Sequence, residues 1–314
     1  MSRHHKHHPR PWPDEPRPLA ASVIDNHTHL PLSPHEVWVA EGERVELEEQ
    51  LERAARVGVT RMITSACQWP EYEPSITLAR AHSGIRVAAA IHPNDVAIHA
   101  GFADPSPDGQ TPEVRDCHIP LDEAFQKLLD IVEDPMVVAV GESGLDYYRT
   151  AESGRRAQQD ALREHIRLAA AKNLPLQIHD RDAHADCLQI LSEDAAPGQP
   201  VVFHCFSGDA EMGSVLAEHG WYASFSGSVT YPANQDLRAA LATLPRSQVL
   251  VETDAPYLTP VPWRGCPNAS YVMAHTVRFM AEVWELSEEV TCRILHDNTT
   301  RVYGTWPAMA VTVR

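Results

Sequence analysis

Eight short runs of apolar and β-branched residues recur between Ser22 and Tyr257, separated by longer helix-like stretches. The runs read SVIDNHTHL, TRMITSAC, IRVAAAIHP, MVVAVGESGLD, LPLQIHD, QPVVFHCF, WYASFSG and QVLVETDAPY. Helical patterns lie at about 45–57, 74–82, 121–133, 156–172, 209–219 and 235–244. Near-continuous apolar strands alternating with helices imply a parallel sheet covered on both faces. Eight such units closed on themselves make a TIM-type (β/α)8 barrel, with helices at 271–285 and 287–303 completing the outer ring. The polar stretch 100–120, AGFADPSPDGQTPEVRDCHIP, breaks the rhythm as a long loop after the third strand.

Ionisable residues gather at the ends of these runs. The first ends in His27 and His29, the third in His92, the fourth in Glu142 and the fifth in His179. The sixth ends in His204, and the eighth in Glu252 and Asp254. All strand ends of a parallel barrel meet at one rim, so metal-ligand residue types converge there. Alternation along a strand turns His27 and His29 to the same side. Imidazole with carboxylate suits zinc, manganese and similar ions. Asp25, one step deeper, is expected to orient a ligating imidazole. A lone strand-end histidine such as His179 is ordinarily a hydrogen-bonded structural residue. Several histidines and carboxylates buried together without a cation would instead carry a severe desolvation and repulsion cost. A His204–Cys205 nucleophile pair is disfavoured, because neighbours on a strand face opposite sides.

The remaining composition narrows the possibilities. At 314 residues and 43% apolar content the chain can build one large core. Residues 1–20, rich in Pro, His and Arg, are expected to be a disordered tail, including a solvated HHKHH cluster at 4–8. Residues 21–306 form the expected barrel domain and 307–314 a C-terminal tail. Net charge is −17, and residues 1–20 hold four Lys/Arg and two Asp/Glu, which leaves the body with 22 positive and 41 negative residues. Such a body disfavours stable duplex binding, which relies on many Lys/Arg–phosphate contacts. No apolar run reaches membrane-spanning length, and no apolar signal segment stands at the N-terminus. Six scattered cysteines without a C-x-x-C pair read as reduced. Together these point to a cytoplasmic protein, expected to be a monomer.

The segments IDNHTHL, AIHPND, VAVGESGLDYYR, LQIHDRDAH, FHCFSGD, VETDAPYLTP, RGCPNASYV and NTTRVYG resemble, in order and spacing, the TatD family of metal-dependent hydrolases over about residues 22–304. The resemblance implies a TIM barrel with one or two divalent ions, zinc, magnesium or manganese. It implies His27, His29 and Asp254 on the first ion, Glu142 bridging, and His179 and His204 on the second. It also implies a deoxyribonuclease that removes nucleotides from the 3′ ends of single-stranded DNA. Two segments depart from the family: an RNEP-like stretch reads Pro267-Asn268-Ala269-Ser270 here, and 100–120 is inserted.

The expected reaction is attack by metal-activated water on phosphorus, with Asp254 orienting the water and taking its proton. Arg181 and Arg264 are candidates for holding a phosphate, as planar donor forks, with Arg149 nearby. Tyr147 and Tyr148 are candidates for stacking a base. His92 is expected to touch substrate or to support a ligand. Amide, lactone or aminoacyl-tRNA ester hydrolysis on the same barrel is the alternative, because fold does not fix substrate. A non-catalytic metal-binding protein is the second, marked by a lost ligand that this sequence does not show.

Overall fold

The computed structural model describes residues 10–310, together with the backbone of His7–His8. Eight parallel strands follow one another in space as in sequence: β1 (Val23–Thr28), β2 (Val59–Ala66), β3 (Ile85–Ala89), β4 (Val137–Asp146), β5 (Leu176–Arg181), β6 (Val201–Phe203), β7 (Tyr222–Phe225) and β8 (Val249–Val251). All eight coincide with the expected runs. Strand ladders join each neighbour except β8 and β1. That seam closes just beyond β8, where Asp254 N–H donates to His27 O (3.0 Å) and His29 N–H to Ala255 O (2.7 Å).

Alternation along the strands makes two cores. Ile24, Ile63, Ala88, Ala139, Val202 and Leu250 pack together with Val302, Tyr303 and Trp306 from the C-terminal end of the chain. Their strand neighbours, such as Val23, Met62, Val87, Val140, Phe203 and Val251, join the helical layer. Full burial of each such side chain contributes roughly 1.5–3 kcal/mol.

The helices are α1 (Leu47–Val57), α2 (Trp69–Ala81), α3 (Pro93–His99), α4 (Leu121–Ile131), α5 (Glu152–Lys172), α6 (His184–Asp194), α7 (Ala210–His219), α8 (Gln235–Thr243), α9 (Met273–Trp284) and α10 (Glu288–Tyr303). Local chemistry sets their ends. Asp209 and Ser287 cap α7 and α10 by accepting from Met212 N–H and Val290 N–H. Gly58 ends α1 in the left-handed conformation (φ 97°). The sequence pattern began α2 at Pro74, but the helix starts at Trp69. Pro70 fits the first turn, and the Glu71 carboxylate accepts from Cys67 N–H at 2.8 Å, so the start is fixed upstream. α3, only seven residues long, and α6 were absent from the expected helices.

The 100–120 loop joins α3 to α4. Trp69 Nε1–H donates to Cys117 O (2.8 Å), and His118 Nε2 lies 2.8 Å from Asp95 Oδ1, so the loop is fastened to the barrel. The expected disorder of 1–20 does not extend to residues 10–20. Trp12 and Leu19 are buried, Tyr271 Oη–H donates to Pro13 O (2.8 Å), and Arg17 pairs with Glu288 (2.6 Å). Isolated anchors along an aperiodic proline-rich strap leave no pattern to read. The HHKHH side chains lie outside the described residues. The expected C-terminal tail is also partly packed: Met309 N–H donates to Thr60 O (2.9 Å).

Candidate metal centre at the barrel rim

Six strand ends deliver their ionisable side chains to one cluster around Glu142. Its Oε2 lies 3.6 Å from both His27 Nε2 and His29 Nε2. Its Oε1 lies 2.6 Å from His179 Nδ1 and 2.8 Å from His204 Nε2. One carboxylate thus faces two pairs of imidazoles, one with each oxygen. Asp254 Oδ1 stands 3.4 Å from His29 Nε2 and 3.9 Å from His27 Nε2. Among the described residues, ligand atoms of four triplets lie close enough to share an ion: His27–His29–Asp254, His27–Glu142–His204, His92–Glu142–His179 and His29–Cys67–Glu142.

Local backbone explains how the side chains arrive. Pairing of β1 with β2 shifts register between Asp25 and Thr28, and pairing of β4 with β5 shifts between Val140 and Ser143. Such irregularities re-aim side chains, and these two flank His27 and Glu142. Gly144 (φ 134°) lies against the His179 backbone, where an added Cβ would stand 2.0 Å from His179 O. Only glycine allows β4 to approach β5 that closely.

A second set of residues holds the first. His27 Nδ1 lies 3.2 Å from Gln177 Oε1, a carbonyl oxygen that must accept, so the proton sits on Nδ1. Gln177 Nε2 is anchored in turn on Asn26 O and Tyr303 Oη, each at 2.9 Å. In the neutral ring this tautomer leaves His27 Nε2 as the lone-pair nitrogen, and it is buried without a hydrogen-bond partner. An orphaned basic nitrogen aimed at a carboxylate cluster fits a bound cation. His204 Nδ1 lies 3.5 Å from Glu252 Oε1, which also accepts from Cys205 N–H. His179 Nε2 lies 3.2 Å from Asp146 Oδ2. Gln177, Glu252 in this holding role, Asp146 and Cys67 escaped the sequence reading. Gln177 precedes His179 by two on β5, and alternation could have found it. Cys67 ends the one early strand without a terminal His, Asp or Glu.

The electrostatics favour positive charge here. Burial works to raise the Glu142 carboxyl, but the charges of His204 and His92 and bonds from His179 and His204 hold it well below its usual range. Burial would also raise Asp146, yet the His179 bond and charge hold it at about 2. Burial pulls the other way on His179, but its bonds to Asp146 and Glu142 lift it to about 9. His29, at the mouth, is raised against burial by Asp254 and then Glu142. The imidazoles are being asked to supply charge that divalent ions would supply directly.

Asp25 does not orient an imidazole as expected. It accepts from Thr253 N–H (2.9 Å), Thr253 Oγ1–H (2.6 Å) and Ser270 Oγ–H (2.7 Å). Burial pushes its carboxyl up to about 7 against those donors. It therefore braces the segment carrying Asp254, not a histidine ring. The divergent 267–270 stretch braces the same segment, since Asn268 Nδ2–H donates to Tyr257 O at 2.6 Å. Tyr147 is likewise turned away from the mouth. It is buried, its hydroxyl donates to Asp186 Oδ2 (2.6 Å), and Arg155 covers its ring. Tyr148 instead lies under exposed Arg181, with the guanidinium 4.1 Å from the ring centre. Arg264 covers Tyr231 in the same way at 4.3 Å. His92 caps α3, accepting from Asn94 N–H at Nδ1, while Nε2 reaches 3.5 Å from Glu142 Oε1. It belongs to the ligand cluster rather than to an outer substrate surface.

Comparison with known proteins agrees with this architecture. Residues 24–304 match the model of the TatD related DNase family. The chain belongs to the TatD family. A relative from Mycobacterium tuberculosis, named an uncharacterized metal-dependent hydrolase TatD, is 36% identical over 286 residues, spanning 90% of this chain and 98% of the relative. A 3′-5′ ssDNA/RNA exonuclease TatD from Cronobacter turicensis is 33% identical over 216 residues, or 68% of this chain and 73% of that one. The crystal structure of YJJV, a TatD homologue from Escherichia coli, superposes with a TM-score of 0.74 at 26% identity, covering 90% of this chain and 98% of YJJV. The chain is thus a metal-dependent hydrolase of the TatD family on a TIM-type barrel. No helix among the described residues is long and apolar enough to cross a membrane.

Proposed function

We propose that the protein is a phosphodiesterase that trims single-stranded DNA from its 3′ end, using one or two divalent ions. The observation that carries this reading is the placement of Glu142 between two imidazole pairs, which suits a bridging carboxylate. His27, His29 and Asp254 would hold the first ion, and His179 and His204 the second, with Zn, Mg or Mn as candidates. Such ions supply Lewis acidity, lowering the pKa of water and neutralising charge that builds on a phosphoryl group. The chain's own groups do the rest. Asp254 sits at the mouth of the cluster, where its carboxylate would orient the attacking water and accept a proton. The Asp25–Thr253–Ser270 bonds hold that carboxylate in place. Arg181 and Arg264, each laid over a tyrosine, would hold phosphate oxygens beside an aromatic face. The Cronobacter turicensis relative, by its name, acts on single-stranded DNA and RNA from the 3′ end, which supports this polarity.

One observation favours a second reading, hydrolysis of a carboxylic ester, amide or lactone. Arg149, a candidate phosphate donor, is paired with Asp108 of the 100–120 loop at 2.9 Å, so the rim is less cationic than its arginines suggest. A panel of 3′-labelled single-stranded DNA, blunt duplex and small esters and lactones, run with each metal restored, separates the two. Turnover of single strands exceeding that of duplex and small esters is expected. Turnover confined to the small esters would overturn the nuclease reading.

A further inference from the structure

We infer that Cys67 is a sulfur ligand to an ion at the His29–Glu142 side of the rim, so that this centre mixes a soft donor with its imidazoles and carboxylates. The inference rests on the metal reading of the rim and extends its ligand set. Cys67 follows the last residue of β2, at the rim with the other strand ends. Its backbone is pinned on both sides. Its N–H donates to Glu71 Oε2 (2.8 Å), and its carbonyl accepts from His92 N–H (2.9 Å). The side chain points into the cluster, with Sγ 3.6 Å from Glu142 Oε2 and 4.0 Å from His29 Nδ1. The thiol S–H is a weak donor to that carboxylate.

Independent support comes from His27. Its Nε2, fully buried and without a hydrogen-bond partner, faces the same Glu142 Oε2 at 3.6 Å. Nitrogen and sulfur donors therefore converge on one carboxylate oxygen. Cys187 and Cys292 provide the contrast: both are buried within the hydrophobic core. Ligation breaks the S–H bond and leaves the electron pair on sulfur. The sulfur–ion bond forms, and one proton passes to solvent with no change of oxidation state. A thiolate in the ligand set selects thiophilic ions such as zinc over magnesium or manganese.

Cobalt(II) loaded into the full chain reads this directly. The wild-type protein should show weak visible bands of bound cobalt and an intense thiolate-to-cobalt charge-transfer band in the near ultraviolet. Cys67→Ser should lose the charge-transfer band and keep the visible bands. Cys205→Ser, altering the thiol near Ser226, should keep both. The histidine-rich N-terminal segment contains no cysteine and cannot supply a thiolate band. Zinc affinity in Cys67→Ser should fall at least about tenfold, while manganese affinity changes less. A charge-transfer band that persists in Cys67→Ser, vanishes in Cys205→Ser, or is missing from the wild type while visible bands show bound cobalt would overturn the sulfur ligand. Absence of all cobalt bands would instead overturn the metal reading beneath it.

Discussion

His165 and His179 are both enclosed by the protein, and their surroundings push them in opposite directions. His165, in α5, donates from Nδ1–H to Ala161 O (2.8 Å) and accepts at Nε2 from Ile91 N–H (3.2 Å). No carboxylate among the described residues faces it, and burial pulls it down to about 4. His179 stands between Glu142 and Asp146, which outweigh burial and lift it to about 9. A histidine satisfied by backbone is part of the packing. A histidine held among carboxylates is poised for charge, and position relative to carboxylates separates the two better than burial does.

The strongest way to break this contrast is Glu142→Ala. Hydrolysis should fall by about 10³-fold or more, a loss of about 4 kcal/mol of transition-state stabilisation, while circular dichroism still shows a folded barrel. Near-normal turnover would remove Glu142 from the centre of the site. His165→Ala should do the reverse. Urea unfolding should show a loss of about 2–4 kcal/mol, from a cavity and an unpaired Ile91 N–H, with metal content per chain unchanged.

Acid sharpens the comparison further. The unfolded chain protonates His165 near pH 6.5, whereas the folded chain resists until about pH 4. Stability should therefore fall as pH drops from 6.5 to 4, by up to about 3 kcal/mol from this residue, and level off below. His165→Gln should flatten that part of the profile, and an unchanged slope would show that other groups govern it. In the ion-free chain His179 has the opposite sign: its contribution is complete below pH 6.5 and is lost as pH rises through 9. The smallest effect is expected from Gln177→Leu, which frees the His27 ring. Titration should show metal affinity weakened about 10–100-fold, with the unfolding midpoint in chelator also lowered because Asn26 O and His27 Nδ1–H lose their buried partner.

The barrel was legible because each strand is a compact apolar run, and the cluster because its ligands lie where those runs end. What escaped depends on contacts across the chain. The direction of Tyr147 is decided by Asp186 on α6, and the role of Asp25 by Thr253 and Ser270 beyond β8. Gln177 reads as one polar residue in a strand until folding sets it beside His27. Residues 10–20 lack periodicity, yet Trp12 and Leu19 anchor them to the barrel.

The seam between β8 and β1 bears on more than chemistry. Its backbone bonds join His27 and His29 to the Asp254–Ala255 step, where the three proposed ligands of the first ion reside. An ion held there would be a clasp between the first and last staves, tying together residues that are far apart along the chain. Its departure would leave the cylinder relying on two backbone hydrogen bonds, the Asn26 Nδ2–H bond to Val251 O and the Asp25 brace at this one joint. Limited proteolysis of the ion-free protein should then find its earliest openings around the seam, so that loading the metal and finishing the fold are a single event.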